Sequence, residues 1–137
     1  MGGAEPNSTA QASTRPPRAL RRWISAQAFA DEHVAAFNAA VAGGDFSGFL
    51  ARFDDDAVVR FENVPGAGAL EFAGRAAYTA AYEQRPPDDE IAMTGPARDE
   101  DGGSIAVPFV WLRDGGTGTM TLTIREGRIG GMVVTFA

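Results

Sequence analysis

The run Val34 to Phe61, VAAFNAAVAGGDFSGFLARFDDDAVVRF, constrains this chain more than any other stretch. It spells an apolar helix that stops at Gly43-Gly44, a second helix that Asp45 can cap, and a strand behind an acidic run. In the first helix Phe29, His33, Ala36, Phe37, Ala40 and Val41 recur at helical spacing, with Ser25 read as the N-cap. In the second, Phe46, Phe49, Leu50 and Phe53 fall at i, i+3, i+4 and i+7, a narrow aromatic face. Asp54-Asp55-Asp56 reads as a charged turn and Ala57 to Glu62 as a strand. Val59 and Phe61 then share one face of that strand, and Val58, Arg60 and Glu62 the other.

The remainder alternates turn chemistry with periodic segments. Asn63 to Ala69 is a Pro- and Gly-containing loop, and Leu70 to Phe72 reads as a short strand. Gly74 opens a third helix on which Ala77, Tyr78, Ala81 and Tyr82 share a face, and Pro86-Pro87 ends it. Four strands follow, Glu90 to Arg98, Ser104 to Arg113, Thr117 to Arg125 and Arg128 to Phe136, joined at Asp101-Gly102-Gly103, Asp114-Gly115-Gly116 and Glu126-Gly127. This half reads as an antiparallel meander. Between Ile105 and Leu112 both strand faces are apolar, which points to a partner subunit over the outer face.

Composition narrows the chemistry. The 137 residues suit one domain, and no apolar run approaches the roughly 20 residues of a membrane span, so we expect a soluble protein without a membrane partner. Arg15, Arg18, Arg21 and Arg22 against Glu5 give the first 22 residues a net +3, which leaves −9 for the rest of a chain whose total is −6. Such an acidic body repels phosphate backbones and argues against nucleic acid. Residues 1–24 read as a disordered Arg-containing tail and residues 25–137 as the folded domain. Arg21-Arg22 lacks the apolar segment of an export signal, and with no cysteine the cytoplasm is the expected location. All 12 basic residues are Arg, and His33 is the one histidine. Lysine Schiff bases, cysteine nucleophiles and zinc sites with two or more His or Cys ligands are therefore excluded.

The order helix, helix, strand, short strand, helix and curved meander resembles the nuclear transport factor 2-like, or SnoaL-like, cone. That fold is α+β, with three helices packed in a curved antiparallel sheet. Ala39 to Val59, AAVAGGDFSGFLARFDDDAVV, is similar to the helix-Gly-Asp-helix-Phe-x-Asp-Asp-Ala-x-Val passage of steroid delta-isomerases and SnoaL-like proteins. Phe72-Ala-Gly-Arg-Ala-Ala-Tyr78 is similar to the start of their third helix. The resemblance implies a pocket inside the cone, but the isomerases' base, oxyanion Tyr and protonated Asp correspond to Phe61, Phe37 and Met120. Phe61 to Pro65 also resembles the water-holding segment of limonene epoxide hydrolases. Asn63 matches there, while the activating Asp-Arg-Asp set falls on Val107, Phe109 and Val134. Scytalone dehydratase-like sites need more than one histidine.

Two readings follow. In the first, a SnoaL-like protein binds a small hydrophobic molecule against Phe37, Phe61, Asn63, Tyr78, Trp111, Met120 and Leu122, with no cofactor and no metal. If it also moves a proton as a polyketide cyclase or isomerase does, Glu62 or His33 is the base and Tyr78 or Tyr82 polarises a carbonyl. In the second, large side chains fill the cone and the domain is a non-catalytic interaction or assembly module. Either form is expected to be a homodimer through the convex sheet face.

Overall fold

The computed structural model describes residues 18–137, with side chains from residue 26 onward. Residues 1–17, most of the expected tail, lie outside the described residues. The elements in order are α1 (Arg18–Gly43), α2 (Ser47–Leu50), β1 (Phe53–Val64), β2 (Gly68–Ala73), α3 (Arg75–Gln84), β3 (Ile91–Met93), β4 (Arg98–Glu100), β5 (Ser104–Trp111), β6 (Thr117–Arg125) and β7 (Arg128–Phe136), with one short 3-10 turn at Asp101–Gly103. No helix among the described residues is long and apolar enough to cross a membrane.

Seven strands form one sheet in the order β2-β1-β7-β6-β5-β3, and β4 also pairs β5. The sheet is mixed, which corrects the antiparallel expectation: β1 runs parallel to β7, and every other pairing is antiparallel. Hairpins announce themselves through turn residues, whereas β1 and β7 meet across most of the chain and carry no local signature. Three register shifts, in β1 against β2, in β1 against β7 and in β7 against β6, disturb the ladder and bend the strands, giving the sheet its concave side.

Each departure from the expected elements has a local cause. Ser25, read as an N-cap, falls inside α1, which spans Arg18–Gly43. The second helix is a single turn, because Phe53 leaves the helical face to start β1 fully buried. Asp54-Asp55-Asp56 is strand, not turn; Arg125 and Arg128 reach Asp54 at 3.3 and 2.9 Å, and Arg75 reaches Asp55 at 2.6 Å. The strand expected over Glu90 to Arg98 is split into β3 and β4. At the split Thr94 donates to the Pro108 carbonyl at 3.1 Å, and Pro108 has no N–H to return, so the ladder breaks there. β6 and β7 have the expected bounds, joined by Glu126 and Gly127 at φ 51° and 80°, the two left-handed positions of a tight hairpin turn.

The concave face holds the core. Along α1 a single stripe, Ala26, Ala30, His33, Phe37 and Ala40, is buried against Val59, Val107, Phe109, Leu122, Met132 and Val134 of the sheet. Fully burying a side chain such as Phe109 or Leu122 contributes about 2 to 3 kcal/mol.

Gly118 is fixed by this packing: a Cβ there would lie 2.6 Å from the Thr135 carbonyl oxygen and 2.9 Å from the Phe109 ring. Gly118→Ala is expected to destabilise by about 1 to 3 kcal/mol in urea unfolding. Gly48→Ala, with no atom within 4 Å of the new Cβ, is the control and should be neutral or slightly stabilising.

Candidate functional site

The interior of the cone is closed by rings. Phe37 on α1 stands 6.0 Å from Trp111 and 5.5 Å from Phe49, and Phe49 in turn stands 5.4 Å from Phe53. Phe61 is enclosed by Phe72, Tyr78 and Phe136 at 6.1 to 6.3 Å. What remains is a cavity of about 30 Å³, walled by His33, Phe37, Phe49, Phe61, Tyr78, Tyr82, Ile91, Phe109, Trp111, Met120, Met132 and Val134. That is the scale of one or two waters, against the several hundred Å³ that ligand pockets offer.

Three polar groups reach this space. Tyr78 Oη donates to Tyr82 Oη at 2.6 Å, with ring centroids 4.5 Å apart, as their i, i+4 spacing on α3 allows. Burial pushes the Tyr82 hydroxyl up to about 12 and the Tyr78 hydroxyl well above its ordinary range, so both stay protonated. His33 is 1% exposed, 5.1 Å from the Phe49 ring, and its Nδ1 has no protein partner. Burial first, and then the Arg52 charge, lower its pKa to about 3. Arg52 itself lies 5.0 Å over the Phe29 ring and reaches Glu32 at 3.3 Å. The cluster is thus neutral: it can donate and accept hydrogen bonds, but it holds no base of useful strength near neutral pH.

The other expected site residues divide. Phe37, Phe61, Trp111 and Met120 do line the interior. Leu122 is fully buried in the core but is no part of the cavity wall. Asn63 sits at the rim in a left-handed conformation, φ 59°, its Nδ2 donating to the Phe136 carbonyl at 2.8 Å. Glu62 points away from the cone, since strand alternation turns it from the side Phe61 faces. It binds Arg60 at 2.8 Å and accepts from Thr135 at 3.2 Å, and these contacts hold its carboxyl below the usual range. Among the described residues no carboxylate lines the cavity. The sequence reading missed Phe49, Ile91, Phe109, Met132 and Val134 as wall residues; the aromatic spacing of Phe46, Phe49 and Phe53 was the available signal for the first.

Residues 34–132 match the SnoaL-like domain family model. The chain belongs to the SnoaL-like family. No curated protein matches its sequence. Among solved structures it is similar to a provisionally assigned isomerase from Bacillus subtilis, at 20% identity over 80% of this chain and 86% of that one, with a TM-score of 0.61. A provisionally assigned ketosteroid isomerase from Kribbella flavida DSM 17836 follows at 19% identity, 81% and 79% coverage and TM-score 0.54. A de novo designed protein with a curved β-sheet matches at 14% identity, 81% and 87% coverage and TM-score 0.58. At these identities the likeness establishes the nuclear transport factor 2-like cone and nothing of the reaction.

His33 makes a pH prediction. A histidine held neutral in the fold binds a proton more readily when unfolded, so stability is full above about pH 6.5 and is lost as pH falls toward 3. Between pH 6.5 and 5 unfolding free energy should fall by roughly 1.6 kcal/mol in all in wild type, the slope steepening toward about 1.4 kcal/mol per pH unit, and His33→Leu should flatten it. Denaturant titrations at several pH values measure it.

Proposed function

We propose that this SnoaL-like domain is a non-catalytic assembly module whose cone is packed solid and whose working surface is the outer face of the sheet, on which a second copy docks. The observation that carries this reading is the interior, about 30 Å³ and without a carboxylate on its wall. A steroid-sized ring system does not enter such a space, and the group nearest the usual base position, Glu62, lies outside it in an ion pair with Arg60.

The outer face has the composition of an interface. Alternation places Pro108 and Val110 of β5, Thr119, Thr121 and Thr123 of β6 and Val133 of β7 on the side away from the helices, and registers Pro108 with Thr119 and Thr121 with Val133. Val58 of β1 adds a valine that is 42% exposed. Charges stand at the margins, Arg98 at one side and the Arg60, Glu62 and Glu71 group at the other, where they are paired among themselves. A neutral, β-branched centre with a charged rim suits a self-complementary, two-fold contact.

A second reading keeps a small hydrophobic ligand in the cone. The neutral hydrogen-bonding trio of Tyr78, Tyr82 and His33 favours it, because His33 Nδ1 is buried without a protein partner, a costly arrangement in a core that serves packing alone. In this reading Trp111 and Phe61 yield to the ligand and Tyr82 meets a carbonyl. Isomerase- or cyclase-like proton transfer would then fall to His33, whose low basicity counts against it.

Sedimentation velocity separates the readings. We expect a dimer at about 100 μM, and a monomer with an unchanged far-UV spectrum for Thr121→Arg, since a buried unpaired guanidinium is strongly unfavourable. Trp111 fluorescence in a Trp23→Phe background should show no saturable response to a ketosteroid. A monomeric wild type overturns the assembly reading, and a saturable Trp111 response establishes the second.

A further inference from the structure

A groove of about 340 Å³ runs beside the closed interior, between the α1–α2 junction and α3. Its apolar floor is Phe46, Leu50 and Tyr82, with Phe46 and Tyr82 rings meeting nearly edge to face at 5.2 Å. Ser47 and Thr79 add hydroxyls, Asp45 and Glu83 add carboxylates, and among the described residues no basic side chain lines the groove. The Ser47 amide donates to Asp45 Oδ1 at 3.0 Å, which keeps that carboxyl ionised. The volume sits at the lower end of the range small-molecule sites occupy.

We propose that this groove binds a small primary amine with one ring or a compact apolar body, the body lying on Phe46, Leu50 and Tyr82 and the ammonium facing the Asp45 and Glu83 carboxylates. Charge complementarity selects the cation, because an anion of the same shape meets two carboxylates and no counter-charge. The aromatic floor adds attraction between the ammonium and the ring faces. Tyr82 lines both the groove and the interior cavity, so its ring is the wall between them. The amine therefore needs neither an open cone nor a second copy of the chain.

The test is titration of isotope-labelled full-length protein with phenethylamine and with hydrocinnamate, which shares the ring and reverses the charge. The amine should give saturable NMR shifts centred on Phe46, Ser47, Thr79 and Glu83, and hydrocinnamate none. Glu83→Gln and Asp45→Asn, the latter retaining an acceptor for the Ser47 amide, should each weaken the amine by about threefold. Thr121→Arg protein should bind it as wild type does, which keeps this outcome separate from that of the pairing experiment. Equal binding of hydrocinnamate, shifts centred elsewhere, no saturation by about 10 mM, or affinity unmoved by both carboxamide variants would each overturn the site. Binding of a basic peptide with the amine inert would overturn it as well.

Discussion

Phe49 holds the cone together from its middle. Its ring meets Phe37 of α1 at 5.5 Å, Phe53 of β1 at 5.4 Å, Tyr82 of α3 at 6.4 Å and His33 of α1 at 5.1 Å, so three separate elements close on one side chain. Each such aromatic pair contributes about 0.5 to 1.5 kcal/mol beyond the area it buries. This explains how a four-residue helix persists: α2 is too short to stand on its own hydrogen bonds, and its place is set by the ring it delivers. The same packing desolvates His33 and the tyrosine pair, and so fixes their protonation states.

The legible part of this protein was the part with a period or a turn. The α1 stripe, the β6–β7 hairpin and the i, i+4 tyrosines follow from spacing, and the structure keeps them, whereas the N-cap of α2 is Phe46 and Asp45 stands one residue before it, accepting from the Ser47 amide. The parallel contact of β1 with β7 was not legible, because long-range pairing leaves no local pattern. Neither was the split between β3 and β4, whose cause, Pro108, lies on the neighbouring strand. At the site, the inward rings could be read from strand parity, and parity also placed Glu62 outside. The volume left among those rings depends on how they interlock, which no one-dimensional pattern records.

The acidic run at the start of β1 misled for a related reason. Three successive aspartates resemble a solvated turn, yet here they are met by arginines arriving from three other elements. Arg128 shows why a guanidinium suits this place: its Nε donates to Asp54 Oδ1 at 2.9 Å while its Nη2 donates to the Phe53 carbonyl at 2.6 Å. Arg75 gives a second bond to the same carbonyl at 3.0 Å, where the register of β1 against β7 shifts. A lysine presents no such planar fork, so a chain whose cations are all arginine can pin an irregular strand at both its carboxylates and its backbone.

Bending a sheet around helices creates a concavity that must be filled, by solvent, by a ligand or by side chains. In this chain Phe37 of α1 and Phe61 of β1 project into the space, and the rings around them complete the filling. A carboxylate at position 61 would lose part of its hydration among the rings of Phe72, Tyr78 and Phe136, whereas phenylalanine packs on all three. Once the rings occupy the cone, the charged groups are left to the strand ends, the sheet margins and the α2–α3 groove, where water or an arginine can meet them.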